Sequence, residues 1–382
     1  MPQQLIYLDH AAATPIDAAV LKIMQPYFRE HFFNPSANYL PAASVRQDLN
    51  VARRKVAHWL GARNNEIVFT AGGTEANNLA IHGVMRCYPG AKLVFSAIEH
   101  ESVRLPATEY KSRLATVTPG GLIDLKNLEK IIDDRTLLVS IMYANNEIGT
   151  IEPIKDISQL ITKIRLRRQL KGITLPLYLH TDACQAANNL SLQTSSLGVD
   201  LMTLNGGKIY GPKQSGCLYV RSGVQIKPLL TGGGQEHGLR SGTENVAQII
   251  GFAEALEVAQ KNRHSETKRL ANLQEQFVQY LKVSIPTALI NGTLKKRLPS
   301  NLHLTLPGKD NERVLIGLEQ AGILAAAGSA CSASNAQPSH VLKAIGLSDK
   351  DAQSSIRFSL GRSTTDQHIK QAVSALTRLN QL

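Results

Sequence analysis

The sequence predicts an α/β protein: a large domain built on a mostly parallel sheet covered by helices on both faces, joined to a smaller α+β domain. Three observations predict it. Short runs that are apolar throughout alternate with stretches of helical spacing up to about residue 220, and strands buried on both faces belong to parallel sheets. A long helical stretch follows at 243–282, as a connector between domains would. Beyond it, 297–306 and 355–360 alternate apolar with polar residues, the pattern of half-exposed antiparallel strands. At 382 residues, 43% of them hydrophobic, the chain exceeds what one core usually supports. The expected division is 15–255 for the large domain, with 1–14 and 256–382 forming the small one.

Taken in order, 44–60 carries apolar residues at helical spacing, and Gly61 stops that helix. The run Glu66-Ile67-Val68-Phe69-Thr70 reads as a strand entering a helix through Ala71-Gly72-Gly73-Thr74. Such a junction gathers unpaired N–H groups and the positive end of a helix dipole at one spot, which suits a phosphate. An ordinary tight turn has the same residues, and both readings stay open here. The strand Leu93-Val94-Phe95-Ser96-Ala97 leads to Glu99-His100-Glu101-Ser102, where a helix begins. The apolar run 137–143 ends in Asn145-Asn146-Glu147-Ile148-Gly149, and the strand 177–182 carries Asp182 at its carboxyl end. Leu201-Met202-Thr203-Leu204 runs into Asn205-Gly206-Gly207-Lys208-Ile209-Tyr210-Gly211-Pro212, and Cys217-Leu218-Tyr219-Val220 closes the series.

His100, Asn146, Asp182, Gln185 and Lys208 thus fall just past strand ends, the edge at which open α/β sheets bind ligands. The paired glycines before Lys208 let backbone and ligand come close, and a lysine that reacts needs such shelter. An aldehyde cofactor accounts for the set. Pyridoxal phosphate needs a Schiff-base lysine, a carboxylate for its ring nitrogen, a phosphate cup and a group stacked on the ring. Lys208, Asp182, the turn at Gly73-Thr74 and His100 fill those roles in that order, with Gln185 and Asn146 free to bond the ring hydroxyl. A helix cap after its strand is the lesser alternative reading of Asp182, given its partners.

The formal charge of +12 favours acidic partners or anionic ligands. Lys163, Arg165, Arg167, Arg168 and Lys171 crowd one helix, read as a solvated face first and a site for an acidic protein second; no nucleic-acid motif accompanies them, so direct nucleic-acid binding is not expected. The four cysteines, Cys87, Cys184, Cys217 and Cys331, lack the paired spacing of zinc sites or redox dithiols, so no metal is expected. Cys217 suits a buried strand. Cys331 lies among small and polar residues, 324–338, that cannot pack a core, so this segment is expected to be mobile with a thiol in its middle. No secretory signal or membrane span is legible, and the expected compartment is the cytoplasm.

The segments Tyr7-Leu8-Asp9-His10-Ala11-Ala12-Ala13-Thr14-Pro15, Gly73-Thr74-Glu75-Ala76-Asn77-Asn78, Glu99-His100, 145–149, Arg240-Ser241-Gly242-Thr243, Gly328-Ser329-Ala330-Cys331 and 355–362 resemble the cysteine desulfurases of the class V aminotransferase family, in the branch that serves iron-sulfur cluster assembly. The resemblance runs in register from Tyr7 to about Arg362. It implies a fold-type I pyridoxal-phosphate enzyme, a homodimer, that converts L-cysteine to L-alanine and holds the sulfur as a persulfide for an acceptor protein, such as a cluster scaffold or a sulfur carrier. By position, Lys208 carries the cofactor, His100 stacks on its ring and assists proton transfer, and Asp182 pairs with its nitrogen. Asn146 and Gln185 contact the ring oxygen side, and Gly73, Thr74 and Asn205 serve the phosphate. Thr243 reaches the phosphate of the other subunit. Arg357, with Asn146, grips the substrate, and Cys331 is the nucleophile.

Three departures bear on function. The family usually has serine or threonine at Asn205 and histidine at Gly207, both phosphate contacts, so weaker cofactor retention is expected. Glu101 replaces a common lysine. The chain ends at Leu382, short of the tail by which some members dock a scaffold, which leaves the acceptor open. Rival readings are a selenocysteine lyase or an aminotransferase on the same scaffold, and a sulfur-relay subunit without catalysis.

Overall fold

The computed structural model describes residues 5–328 and 338–381. A seven-stranded sheet forms the centre, in the order Ile67–Thr70, Gly216–Val220, Leu201–Asn205, Tyr178–Asp182, Thr136–Ser140, Lys92–Ser96, Ser112–Ala115. All neighbours are parallel except Gly216–Val220, which runs against both of its partners. The carboxyl ends of the other strands therefore share one edge. The apolar side chains divide between two cores, one on each face of the sheet, which is why the strands read as unbroken apolar runs.

Two details differ from the sequence reading of this sheet. The strand Ser112–Ala115 was not legible, because it lies at the edge with Arg113 and Leu114 in solvent and has no apolar run to mark it. The run 137–143 is strand only to Ser140, although its continuation still leans on the next strand through Ile141 N–H to His180 O (3.1 Å) and Tyr143 N–H to Asp182 O (2.8 Å).

The helix Leu40–Leu60 ends at Gly61 in the left-handed region (φ 61°), as expected. The connector is one 39-residue helix, Val246–Ser284. Its first half, through Ala259, packs into the core of the large sheet, and Leu270 to Leu281 pack with Ile6, Leu8, Leu302, Phe358 and Leu376 into a second core. That second core covers a three-stranded antiparallel sheet, Ser355–Ser359, Asn301–Thr305 and Leu289–Ile290.

The alternation in this small sheet was expected to mean one wet face; instead both longer strands are buried along their length. Its polar positions, Asn301, His303, Thr305, Ser355, Arg357 and Ser359, point into the molecule. There they bond one another, Asn291 and the 145–149 turn, for example Asn301 Nδ2–H to Glu147 O at 2.8 Å. Buried polar groups paired in this way make an alternating pattern without a solvent face.

The basic helix, Ile154–Leu170, is solvated at Lys163 and Arg167, as expected, but these charges are paired rather than free. Arg165 pairs with Asp200 and Arg167 with Glu129, while Arg168, 3% exposed, caps the carbonyls of Asp133 and Thr136. No helix among the described residues is long and apolar enough to cross a membrane.

Candidate active site

Four features converge on a cleft at the carboxyl edge of the large sheet. Lys208 ends a short 3₁₀ turn, Gly206–Lys208, directly behind the strand Leu201–Asn205. The turn is held from above by the N-terminal segment: Thr14 N–H and Oγ1–H both reach Gly207 O (3.1 Å each), and Tyr210 N–H reaches Thr14 Oγ1 (2.8 Å). Tyr210 takes the left-handed φ of 62° that reverses the chain, held by its hydroxyl accepting Arg362 N–H and by the Arg362 guanidinium 4.0 Å above its ring. The Lys208 ammonium is half-buried and donates to Ala11 O (2.9 Å) and to Ala12 O, and Gln185 Nε2–H shares Ala11 O at 3.0 Å.

Asp182 closes the strand Tyr178–Asp182 and is 6% exposed. Both of its oxygens are engaged: Oδ1 accepts Cys184 N–H (2.9 Å) and Oδ2 accepts Asn77 Nδ2–H (2.7 Å). Behind the strand Ile67–Thr70, Gly72 (φ 123°) starts the helix Gly73–Met85, whose first N–H groups have no partner within the helix. A Cβ on Gly73 would lie 2.8 Å from Cys184 Sγ, so only glycine lets this helix end close on the cleft. His100 caps the helix Glu101–Thr108 through Nδ1, which accepts Ser102 N–H at 3.1 Å. Asn146, Asn205, Gln185, Thr74 and Arg357 also line it.

Arg357 comes from the small sheet and is 1% exposed; it donates Nη1–H to Asn146 O (2.9 Å) and pairs through Nη2 with Asp9 (2.7 Å). The cleft therefore lies between the two sheets. Of the expected site residues, the cleft gathers Lys208, His100, Gly73, Thr74, Asn146, Asp182, Gln185, Asn205 and Arg357. Thr243 is exposed in the loop before the long helix, away from this lining. Cys331 lies outside the described residues, in 329–337. The described flanks of that segment meet at one carboxylate: Ser339 Oγ–H bonds Glu147 Oε2 (2.6 Å), and a Cβ on Gly328 would stand 3.3 Å from the same oxygen.

Sequence reasoning missed Ala11 and Ala12, whose backbone carbonyls hold the lysine, because carbonyls leave no mark in side-chain identity. It also missed Asn77, Ser102 and Cys184. Burial, and next the charge of Asp182, push the Cys184 thiol well above its ordinary range, so it stays protonated beside the cleft. Burial likewise raises the Glu99 carboxyl well above the carboxylate range, with Asp182 adding to it; Glu99 Oε1 accepts Met142 N–H at 2.6 Å.

The residues present fit pyridoxal phosphate. A half-buried amine, a carboxylate fixed by two donors, a helix end stripped of side chains at Gly73 and a ring-bearing cap face one volume. The donor set is that of an anionic, aldehyde-bearing heterocycle.

Residues 6–372 match the family model described as Aminotransferase class-V. A cysteine desulfurase IscS of Dictyoglomus turgidum is 38% identical over 98% of this chain and 94% of its own length. Among solved structures, a NifS-like protein superposes with a TM-score of 0.89 at 31% identity, covering 98% of this chain and 99% of that one. A structure titled SspA in complex with cysteine superposes at 0.80 with 33% identity, covering 93% of this chain and 98% of its own. The near full-length match, on a sheet edge that brings lysine, aspartate and histidine together, shows that the chain belongs to the class-V aminotransferase family.

Proposed function

We propose that the protein is a cysteine desulfurase, dependent on pyridoxal 5'-phosphate, that converts L-cysteine to L-alanine and holds the sulfur as a persulfide on Cys331. The observation that carries this reading is the single cleft shared by Lys208, Asp182, His100, the Gly73 helix end and Arg357. The match to desulfurase relatives over nearly the whole chain supports it.

When bound, the cofactor supplies an electron sink for the pair freed at the substrate α-carbon. Lys208 holds it and then moves the α-proton. Asp182, fixed by Asn77 and Cys184, holds the charge on the ring nitrogen, and the helix end at Gly73 and Thr74, with Asn205, takes the phosphate. Asn146 and Gln185 face the ring oxygen. Arg357 orients the substrate carboxylate, with Asn146 beside it.

Cys331 as thiolate attacks the substrate sulfur. The substrate thiol gives up its proton, the S–S bond forms as the C–S bond breaks, the electron pair of that bond stays on the β-carbon, and one proton taken there and one returned to the α-carbon complete alanine. The flanks of 329–337 support this role, since three residues span at most about 11 Å and Gly328 stands beside Glu147, next to Asn146.

The persulfide then passes to the thiol of an acceptor protein, a cluster scaffold or a sulfur carrier. We assign the protein to the cytoplasm and read it as a homodimer. Leu21, Phe28, Phe32, Tyr39 and Leu40 form an exposed apolar stretch that a second copy would cover, and an exposed Thr243 is free to reach that copy's phosphate. The division into 15–255 and 1–14 with 256–382 is supported by the separate cores on the two halves of the long helix.

The test is spectroscopic and chemical. Purified protein should show a visible band from the lysine-bound cofactor that shifts on adding L-cysteine, with alanine and sulfide formed in equal amounts under reducing thiol. Cys331→Ala should abolish sulfide release and spare any transamination. An unshifted band with no alanine would leave only a relay subunit, and transamination without sulfide would mean an aminotransferase.

A further inference from the structure

Asp182 and His100 are joined by a buried chain of hydrogen bonds that the proposed reaction does not by itself require. Asn77, 1% exposed, donates one Nδ2 hydrogen to Asp182 Oδ2 (2.7 Å) and the other to Ser102 Oγ (2.8 Å). Its amide orientation is fixed by chemistry, because the reverse would set an oxygen against the Asp182 carboxylate. While accepting from Asn77, the Ser102 hydroxyl keeps its hydrogen to give, and His100 Nδ1 lies within reach at 2.8 Å. The Ser102 backbone N–H points at the same nitrogen from 3.1 Å. Backbone N–H groups cannot turn into acceptors, so Nδ1 must be the lone-pair nitrogen of the neutral ring.

From this geometry we infer that Ser102 is a positioning residue: with Asn77 it fixes His100 as the tautomer that carries its hydrogen on Nε2, the ring edge turned away from the helix cap. His100 lines the cleft, so it meets the reacting groups as a hydrogen-bond donor at Nε2, and the base work at the α-carbon is left to Lys208. Asp182 sets both ends of the arrangement: its charge serves the ring nitrogen of the cofactor, and through Asn77 and Ser102 it orders the group on the ring's face. This rests on the reading that His100 and Asp182 serve one cofactor.

The tautomer is read directly from nitrogen chemical shifts and coupling patterns of full-length protein labelled with ¹⁵N-histidine, both as purified with its cofactor and after the cofactor is removed, His100 being assigned by its loss in His100→Gln. In both forms Nδ1 should be pyridine-type and Nε2 pyrrole-type. Ser102→Ala, which keeps the backbone donor and loses the hydroxyl, should lower the tautomer ratio about five-fold, the worth of one neutral hydrogen bond. Ser102→Thr, which keeps both donors, should restore it, and unfolding midpoints of the three proteins separate this from general loss of structure. A pyrrole-type Nδ1 in the unaltered protein, or a ratio unmoved in a folded Ser102→Ala, overturns the inference. A fixed Nε2–H tautomer in protein that makes no alanine from L-cysteine would instead overturn the proposed function and leave this inference standing.

Discussion

Gly73 lines the cleft and Gly207 follows Asn205, which lines it too, but the two glycines tolerate side chains differently. A methyl on Gly73 meets Cys184 Sγ at 2.8 Å, closer than carbon and sulfur approach, at the first residue of its helix. Gly73→Ala should weaken cofactor binding about ten-fold, the scale of overpacking by one carbon, and Cys184→Ala on the same chain should recover most of it. Equilibrium dialysis against the free cofactor measures both. A methyl on Gly207 meets only ordinary contacts, Asn205 Oδ1 at 3.5 Å and Lys213 Cγ at 3.6 Å, and the turn there is right-handed. Asn205 Oδ1 already accepts Gly207 N–H at 3.0 Å, which leaves its amide hydrogens as its donors. Gly207→His meets no clash at its Cβ and adds a second donor, so it should slow cofactor loss in prolonged dialysis; unaltered protein that keeps its full complement equally long would show that the glycine costs no retention.

At the scale of elements, helices are spaced from neighbouring loops by single glycines that propensity alone would replace. Gly83 lies inside the helix Gly73–Met85, where a Cβ would come 2.7 Å from Lys227 O and 2.6 Å from Ile226 Cγ1. Alanine gains about 1 kcal/mol in helix propensity, but the contact with a backbone carbonyl costs about 1–3 kcal/mol. The urea midpoint of Gly83→Ala should therefore fall. The elements that sequence revealed were those whose periodicity matched their burial: the apolar strands of the large sheet, the helix closed by Gly61 and the long connector. The antiparallel pair Asn301–Thr305 and Ser355–Ser359 was legible as strands but not as buried ones, because polar residues facing an interior cleft alternate just as residues facing water do. The edge strand Ser112–Ala115 had no apolar run to betray it. In the site, side chains with singular chemistry such as Lys208, Asp182 and His100 announced themselves. Asn77 and Ser102 did not, since an asparagine within a helix and a serine in a first turn are ordinary until the partners brought by folding are known.

For the whole molecule, buried ionisable groups tie stability to pH. Glu152, 2% exposed, accepts Ile123 N–H with both oxygens (3.1 and 2.9 Å), and burial raises its carboxyl to about 8. The folded protein then holds a proton that the unfolded chain, near the ordinary value of 4.5, has released, so this group's contribution declines as pH rises from about 4.5 to about 8 and is flat above. Glu152→Gln keeps an accepting oxygen without the charge. Between pH 6 and pH 8 the unfolding free energy of the unaltered protein should fall relative to the variant by up to about 2–3 kcal/mol, measured from paired denaturant curves; parallel curves would contradict it.

The central claim is that Lys208, held over the sheet edge by the carbonyls of Ala11 and Ala12, is where the cofactor is attached. Borohydride reduction of the purified protein followed by peptide mass mapping tests it most directly. The account predicts the reduced pyridoxyl-phosphate mass on Lys208 alone, and no label on Lys208→Ala. Label on another lysine, or none on protein saturated with the cofactor, would contradict it.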